Sequence, residues 1–459
     1  MPTELLLNLS LTCISILITW LAGAFIMFVV LYDEFSLPEF IGFSYIIGSG
    51  ITGALLGISS VMLGRFSPWF VYGFLLASGI PSFILWSHGK RMHLWEIISE
   101  AKPLKYHEYL LILPVLFIIV GVISGGISGA PNWDGLLTYG FTAKSLFISN
   151  KINMGFFTDV TRYGHIHLDY PLLLPLLEYW CYHFIGSDNY QLIQFVSIGY
   201  YMALAGIFYG SLKLKTSRSI ALFSLLIILF NPIVISNSVG GDTDIIVAAY
   251  LTGILIVYIK LLTRSSLKMA FMLGMLTGFL ANTKNEGFAF FVMFSFLLIF
   301  TPGITRKAWM YYFIPSAILG LPWFITKLMY GIRSDLFINV FHQIPLMKDR
   351  MPVILDHYYH FFTGTFPPVK GTGFLWLIAL IGLIVMLSHE STRSRYGTLW
   401  LPFVLLFFIY STVYIITPHT IQWQLGYSIL RTMTQLAPPL LWLSTVVLWE
   451  RYKVKKPDP

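Results

Sequence analysis

Apolar stretches of roughly 17 to 25 residues recur along almost the whole chain, a length that matches the hydrocarbon core of a bilayer when the residues coil as helices. In lipid every backbone amide and carbonyl needs a partner, which leaves only helices and closed barrels. Barrel strands alternate apolar and polar side chains, and these stretches do not. The chain is therefore read as an all-α polytopic membrane protein. Spans are expected at 5–31, 39–63, 67–87, 107–127, 190–212, 218–237, 243–261, 267–283, 286–301, 309–328, 371–388, 398–417 and 432–450, a bundle of about thirteen. Composition excludes an ordinary soluble domain: 56% of the 459 residues are hydrophobic and 11% charged, where a soluble domain carries about 25% charged residues.

The formal charge of +8 would suggest nucleic acid in a soluble chain, but in a multi-span chain the side on which each Lys and Arg falls matters more than the sum. No nucleic-acid partner is expected. Alternating the connections between two sides puts 18 of the 29 basic residues on one of them, in loops around 88–106, 213–218, 260–268, 306–307 and 393–395 and after residue 450. By the excess of positive charge that side is cytoplasmic. The long loops 128–189 and 329–370, and short ones near Gly240, Lys284 and Thr420, then face outward, where function is expected. In a bacterium this is an inner or cell membrane protein with its active site outside. Residues 1–106 read as an additional N-terminal transmembrane bundle with its cytoplasmic loop, 107–450 as the main transmembrane core, and 451–459 as a cytoplasmic tail. MPTELLLNLS has no basic residue ahead of its apolar run, which is too long for a signal-peptide core, so it reads as a retained first span. Cys13 and Cys181 are isolated thiols without the spacing of a metal or redox pair.

Between the spans, the stretch richest in ionisable and aromatic residues is Pro131 to Pro171, PNWDGLLTYGFTAKSLFISNKINMGFFTDVTRYGHIHLDYP. Leu136, Tyr139, Ala143, Leu146 and Phe147 fall at helical spacing, which suits an interfacial amphipathic helix or a helix packed on the bundle. The following PLLLPLLEYWCYHFIG is apolar but short and holds two prolines, so it reads as a re-entrant or interfacial helix rather than a span. In an extended segment His165, His167 and Asp169 share one face, and such groups can hold a divalent metal; ordering the approach to Pro171 is the competing role. No cofactor is required, and a metal stays an open alternative. The stretch HQIPLMKDRMPVILDHYYHFF, near 342–362, suits either a cover over a donor or an aromatic belt at the interface.

Taken in order, Pro131, Trp133-Asp134, Phe141-Thr142-Ala143-Lys144 and His167-Leu168-Asp169-Tyr170-Pro171-Leu172 resemble the first large outer loop of the GT-C superfamily of membrane glycosyltransferases, which includes the protein O-mannosyltransferases and the lipid A aminoarabinose transferases. The resemblance covers 107–450 and extends to Gly241-Asp242-Thr243-Asp244, to Asn282-Thr283-Lys284-Asn285-Glu286-Gly287 and to Arg431 before the last span. It implies a GT-C-like helical bundle with interfacial helices in its outer loops, which moves a sugar from a polyprenyl-phosphate donor to a lipid, glycan or protein acceptor, with inversion. It also implies roles. Asp134 would be the catalytic base, Lys284 and Arg431 would hold the donor phosphate, and Asp244, Glu286, His167, Asp169 and Tyr170 would line the donor or acceptor site. One departure stands out: many relatives have two adjacent carboxylates where Asp134 is followed by Gly135.

Each residue has a plainer alternative. Asp134, Asp242 and Asp244 suit helix N-caps, where Asp is favoured, and Lys284 and Arg431 suit cations that snorkel to lipid headgroups. Charge-assisted contacts to phosphate, bidentate for Arg431, are the functional counterpart. Rival functions are a polysaccharide polymerase or ligase, a secondary transporter, and a membrane scaffold. A transporter places ionisable groups at the bilayer midplane, whereas the expected spans keep theirs at the ends. The sidedness is checked by cysteine labelling in a variant lacking Cys13 and Cys181. Cysteines at Ser149 and Ser391 should react from opposite sides of the membrane, and reaction of both from outside overturns the assignment.

Overall fold

The structure is a computed structural model that describes residues 2–31, 34–88, 103–164, 166–264, 266–332, 334, 340–365 and 373–455. Among these there is no β-strand. The main helices are α1 (Pro2–Leu31), α2 (Leu37–Leu63), α3 (Trp69–Ser87), α4 (Tyr106–Ser128), α5 (Phe141–Ser149), α6 (Leu173–Ile185), α7 (Phe195–Lys213), α8 (Arg218–Leu229), α9 (Pro232–Val239), α10 (Thr243–Arg264), α11 (Leu267–Ala281), α12 (Asn285–Ile299), α13 (Arg306–Tyr330), α14 (Met347–Thr363), α15 (Gly373–Ser388), α16 (Glu390–Ile416) and α17 (Ile421–Lys455).

Eight helices among the described residues are long and apolar enough to cross a membrane: α1 to α4, α7 with the turn before it, α10, α13 and α16. These are eight of the thirteen expected spans. The expected span 218–237 is two helices, α8 and α9, bent by 63° at Asn231-Pro232. Proline cannot donate the amide that would continue α8, and the Asn231 side chain accepts from the amides of Ile233 and Val234 to start α9. Helices α11 and α12 are shorter than expected, at 15 residues each, and α15 is described over 16 residues. That is about 23 Å of helix against a core of about 30 Å. The last expected span lies inside α17, where Arg431, Thr432, Thr434 and Gln435 interrupt the apolar run.

Between apolar helices in lipid, close approach of backbones replaces the hydrophobic drive. Helices α1 and α2 meet through two glycines: a Cβ on Gly23 would lie 1.9 Å from the Ser44 carbonyl oxygen, and one on Gly48 1.9 Å from that of Thr19. Helix α2 then packs on α7, with the Tyr45 hydroxyl donating to the Val196 carbonyl at 2.9 Å.

Helix α10 is a ruler for the bundle, because Asp244 and Arg264 stand at its two ends, about 30 Å apart. At the Arg264 end, ion pairs join Glu34 to Arg264, Glu39 to Lys260 and, on neighbouring helices, Glu108 to Arg218. The Asp244 end carries the loops after α2, α4, α6 and α11.

Helix α6 is not a span. All of Leu173–Tyr182 is buried among α1, α2 and α5, so it is packed inside the bundle rather than laid on a surface. Its first amide donates to the Asn282 carbonyl at 3.0 Å. Helix α5 buries Thr142, Ala143 and Leu146 against it, which favours the packed alternative. In α14, Tyr358 and Phe361 are buried while Tyr359 is exposed.

Gly48→Ala should therefore destabilise the protein by about 1–3 kcal/mol, the usual cost of overpacking, read as a lowered thermal midpoint in detergent. Gly73→Ala, where a Cβ meets nothing within 4 Å, should leave the midpoint nearly unchanged.

Candidate active site at the Asp244 end

Asp244 opens α10 with no exposed side-chain surface, and a carboxylate out of water needs donors. It has three. Lys284 Nζ reaches Oδ1 at 2.9 Å, Gln435 Nε2 reaches the same oxygen at 2.5 Å, and Arg431 Nε reaches Oδ2 at 2.8 Å. Lys284 also lies 3.4 Å from Glu286, and Arg431 Nη1 donates to Asp134 Oδ2. Asp134, Asp244, Lys284, Glu286 and Arg431 therefore form one continuous network drawn from four separate stretches of chain. Accessibility grades across it: the side chains of Asp244 and Lys284 are 0% and 4% exposed, those of Asp134, Glu286 and Arg431 17%, 21% and 23%.

Arg431 stands just before the expected span 432–450 but inside the helix that carries it, since α17 begins at Ile421. Its neighbour one turn on, Gln435, is a site residue that the sequence reading missed. Gln435 Oε1 accepts from the Tyr410 hydroxyl of α16. The signal was present: Gln424, Ser428, Arg431, Thr432 and Gln435 make a polar stripe at helical spacing. It meets the Tyr410 and Tyr414 hydroxyls of α16.

The capping alternative for Asp134 does not hold. Its side chain makes no cap bond, and the amide of Gly135 is taken by Asn132 Oδ1 at 2.8 Å. Asn132 also donates to Asp242 Oδ2, and its own amide donates to the Gly240 carbonyl at 2.9 Å. This clamp brings the loop after α4 against the loop before α10. A Cβ on Gly135 would lie 2.1 Å from the Gly240 carbonyl oxygen, so no second acid fits beside Asp134. The further carboxylates come instead from Asp242 and Asp244. The chain from Gly135 to Gly140 forms a short π-helix, a shape often found at functional sites.

That π-helix carries Tyr139, whose hydroxyl meets Thr243 Oγ1 at 2.7 Å. Tyr139 stacks on Tyr170 at 6.0 Å between ring centroids, and Tyr170 on His167 at 4.5 Å. Burial raises both tyrosine hydroxyls well above their ordinary range, with Arg431 opposing and Asp134 reinforcing; both stay neutral. Residues 166–170 turn rather than extend, the Tyr170 amide donating to the His167 carbonyl at 3.1 Å. His167 and Asp169 therefore do not share a face, and His165 lies outside the described residues. Asp169 accepts from Asn285 at 2.6 Å, its carbonyl accepts from Trp323 at 3.1 Å, and Asn285 in turn accepts from Lys327 at 2.9 Å. It sits beside the network, joined through the neighbour of Lys284. Among the described residues no three His, Cys, Asp or Glu side chains gather as a metal-ligand set.

Asp242 is fully buried beside the same cations, and its Oδ1 has no hydrogen-bond partner among the described residues. Burial raises its carboxyl above the ordinary carboxylate range, against the pull of Arg431. A carboxyl raised on folding contributes stability that is present at low pH and is lost as pH rises through its folded value. Asp242→Asn, which resembles the neutral acid, should keep the thermal midpoint and flatten that part of its pH dependence. Asp244→Asn removes the charge facing Lys284 and Arg431 and should cost about 3–5 kcal/mol, read as loss of folded yield. Equal midpoints for the two variants would overturn this division of roles. Comparison with protein-family models, curated proteins and solved structures finds no match to this chain.

Proposed function

We propose that the protein is a membrane glycosyltransferase that moves a sugar from a polyprenyl-phosphate donor to an acceptor hydroxyl at the Asp244 end of the bundle. The observation that carries this reading is one network of two cations and three carboxylates, drawn from four stretches of an apolar helical chain, with an aromatic stack beside it; an apolar cavity opens on another face of α17. The cavity has a volume of about 760 Å³ and is lined by Phe362, Trp376, Phe403, Phe407, Leu436 and Leu440, among others. Leu436 and Leu440 follow Arg431 along α17 by about 7.5 and 13.5 Å of helix rise and lie about 140° and 180° around the helix from it. Exposed Phe374, Leu377, Leu380 and Phe408 leave the cavity open along the flank of the bundle. Under this reading the donor phosphate sits on Arg431 at the Asp244 end, and the donor's apolar chain lies along the flank of the bundle.

Under this reading Asp134 Oδ takes the proton of the acceptor hydroxyl. The acceptor oxygen bonds to the anomeric carbon, the bond from that carbon to the phosphate oxygen breaks, and polyprenyl phosphate leaves with the electron pair. One displacement inverts the configuration. An ordinary Asp has a pKa of about 4, so the gain comes from position, and general base catalysis is worth about 100- to 10,000-fold. Tyr170 and His167, half-buried and stacked on buried Tyr139, supply aromatic surface of the kind a sugar ring packs on. Arg431, the more exposed cation, meets the phosphate first; Lys284 acts from behind through Asp244 and Glu286. Outward orientation, a bacterial cell membrane and a separate N-terminal bundle over residues 1–106 belong to the same proposal.

Purified protein in detergent, given synthetic polyprenyl-phosphate sugars, should release polyprenyl phosphate. Asp134→Asn should lower turnover about 100-fold or more while still binding donor. Arg431→Ala should raise the donor KM, and Lys284→Ala should lower folded yield as well, because it uncovers buried Asp244. No release from any such donor, or wild-type turnover in Asp134→Asn, would count against the assignment.

A further inference from the structure

Counting charge at the site poses a problem for any phosphate. Asp134, Asp244 and Glu286 already face two cations, Lys284 and Arg431, and Asp242 lies beside them. A phosphate added to this set would enter a field in which anions outnumber cations. It has to replace a carboxylate rather than join the carboxylates.

The geometry says which one leaves. Asp244 is held by three donors from two segments and has no exposed surface. Glu286 faces Lys284, which is 4% exposed and behind the others. Asp134 faces the more exposed of these two cations and, among the described residues, is held there by Arg431 alone. Its backbone is secured separately: Asn132 takes the Gly135 amide and is itself tied to Asp242 and Gly240. The Asp134 side chain can therefore turn away without unfolding the loop. Arg431 also keeps Nη2 buried with no hydrogen-bond partner among the described residues. An incoming oxyanion thus finds one unused donor and a second, Nη1, that a single side-chain rotation releases. Together they form the fork that guanidinium offers to phosphate.

We infer that the donor phosphate exchanges with Asp134 on Arg431, so that filling the donor site frees the carboxylate that the reaction uses. This rests on the donor-binding reading above. With the site empty, Asp134 Oδ2 is occupied by Arg431. With phosphate on Arg431, it is unpaired beside the anomeric carbon, and the acceptor proton has somewhere to go only when donor is present. The exchange couples the two steps without any movement of helices.

The test measures equilibrium binding of a polyprenyl monophosphate, the lipid product, and of inorganic phosphate to detergent-purified full-length protein. Asp134→Asn removes the competitor from Arg431 and should bind both probes about tenfold more tightly than the wild type. Asp134→Glu keeps a competing charge and should stay within about twofold of it. Thermal midpoints of both variants confirm that they are folded, and Asp134→Ser replaces the Asn variant if that one is not. Affinity unchanged or weakened in Asp134→Asn overturns the exchange, and so does tightening confined to the lipid, which would assign the effect to the chain. Equal lipid binding by the wild type and Arg431→Ala would remove Arg431 from the phosphate site, and with it the donor-binding reading itself.

Discussion

A carboxylate with no exposed surface organises this molecule. Taking a charge out of water costs several kcal/mol even after the protein relaxes, so Asp244 is tolerable only where its donors are already in place. Those donors are Lys284, Arg431 and Gln435. They belong to the start of α12 and to α17, far apart in the chain. Satisfying one buried acid therefore docks three elements at a fixed register. It also fixes where the wall of the apolar cavity lies, because Leu436 and Leu440 of α17 line it.

The two ends of the bundle use charge differently. At the Arg264 end, acids in the first turns of α2 and α4 pair with bases on α10 and α8. Acids suit helix N-termini, and bases suit a C-terminus such as that of α10. At the Asp244 end the groups are shared: each cation meets two carboxylates and Asp244 meets both cations. A network of that kind has alternative pairings at similar energy, and a ligand ion can choose among them. The same end holds the turns, the π-helix and the neutral tyrosines, so backbone irregularity gathers where the chemistry is proposed.

Helical character was legible because lipid leaves the backbone few options. Eight spans could be read from length and hydropathy alone. The other five do not stand out as long apolar helices, for local reasons: Asn231-Pro232 bends one, α11 and α12 are 15 residues each, α15 is described over 16, and α17 carries a polar stripe beside the last. Asp134, Lys284, Glu286, Arg431 and Asp244 were each visible as charges that an apolar chain has no cause to carry. Gln435, Tyr410 and Asn132 were not, since uncharged polar residues in helices and loops have many ordinary uses.

What the sequence by itself determined is the class of structure and the inventory of unusual charges, because hydropathy acts residue by residue and needs no partner. What only the tertiary structure decided is who pairs with whom. Whether Asp134 caps a helix or faces Arg431 depends on Asn132 reaching Gly135 first, and whether Lys284 lies at the surface or under it depends on α17 covering the start of α10. Those outcomes turn on distances between segments about a hundred to three hundred residues apart. Hydrogen bonds and ion pairs act over a few ångströms, so no local pattern in the chain carries that information.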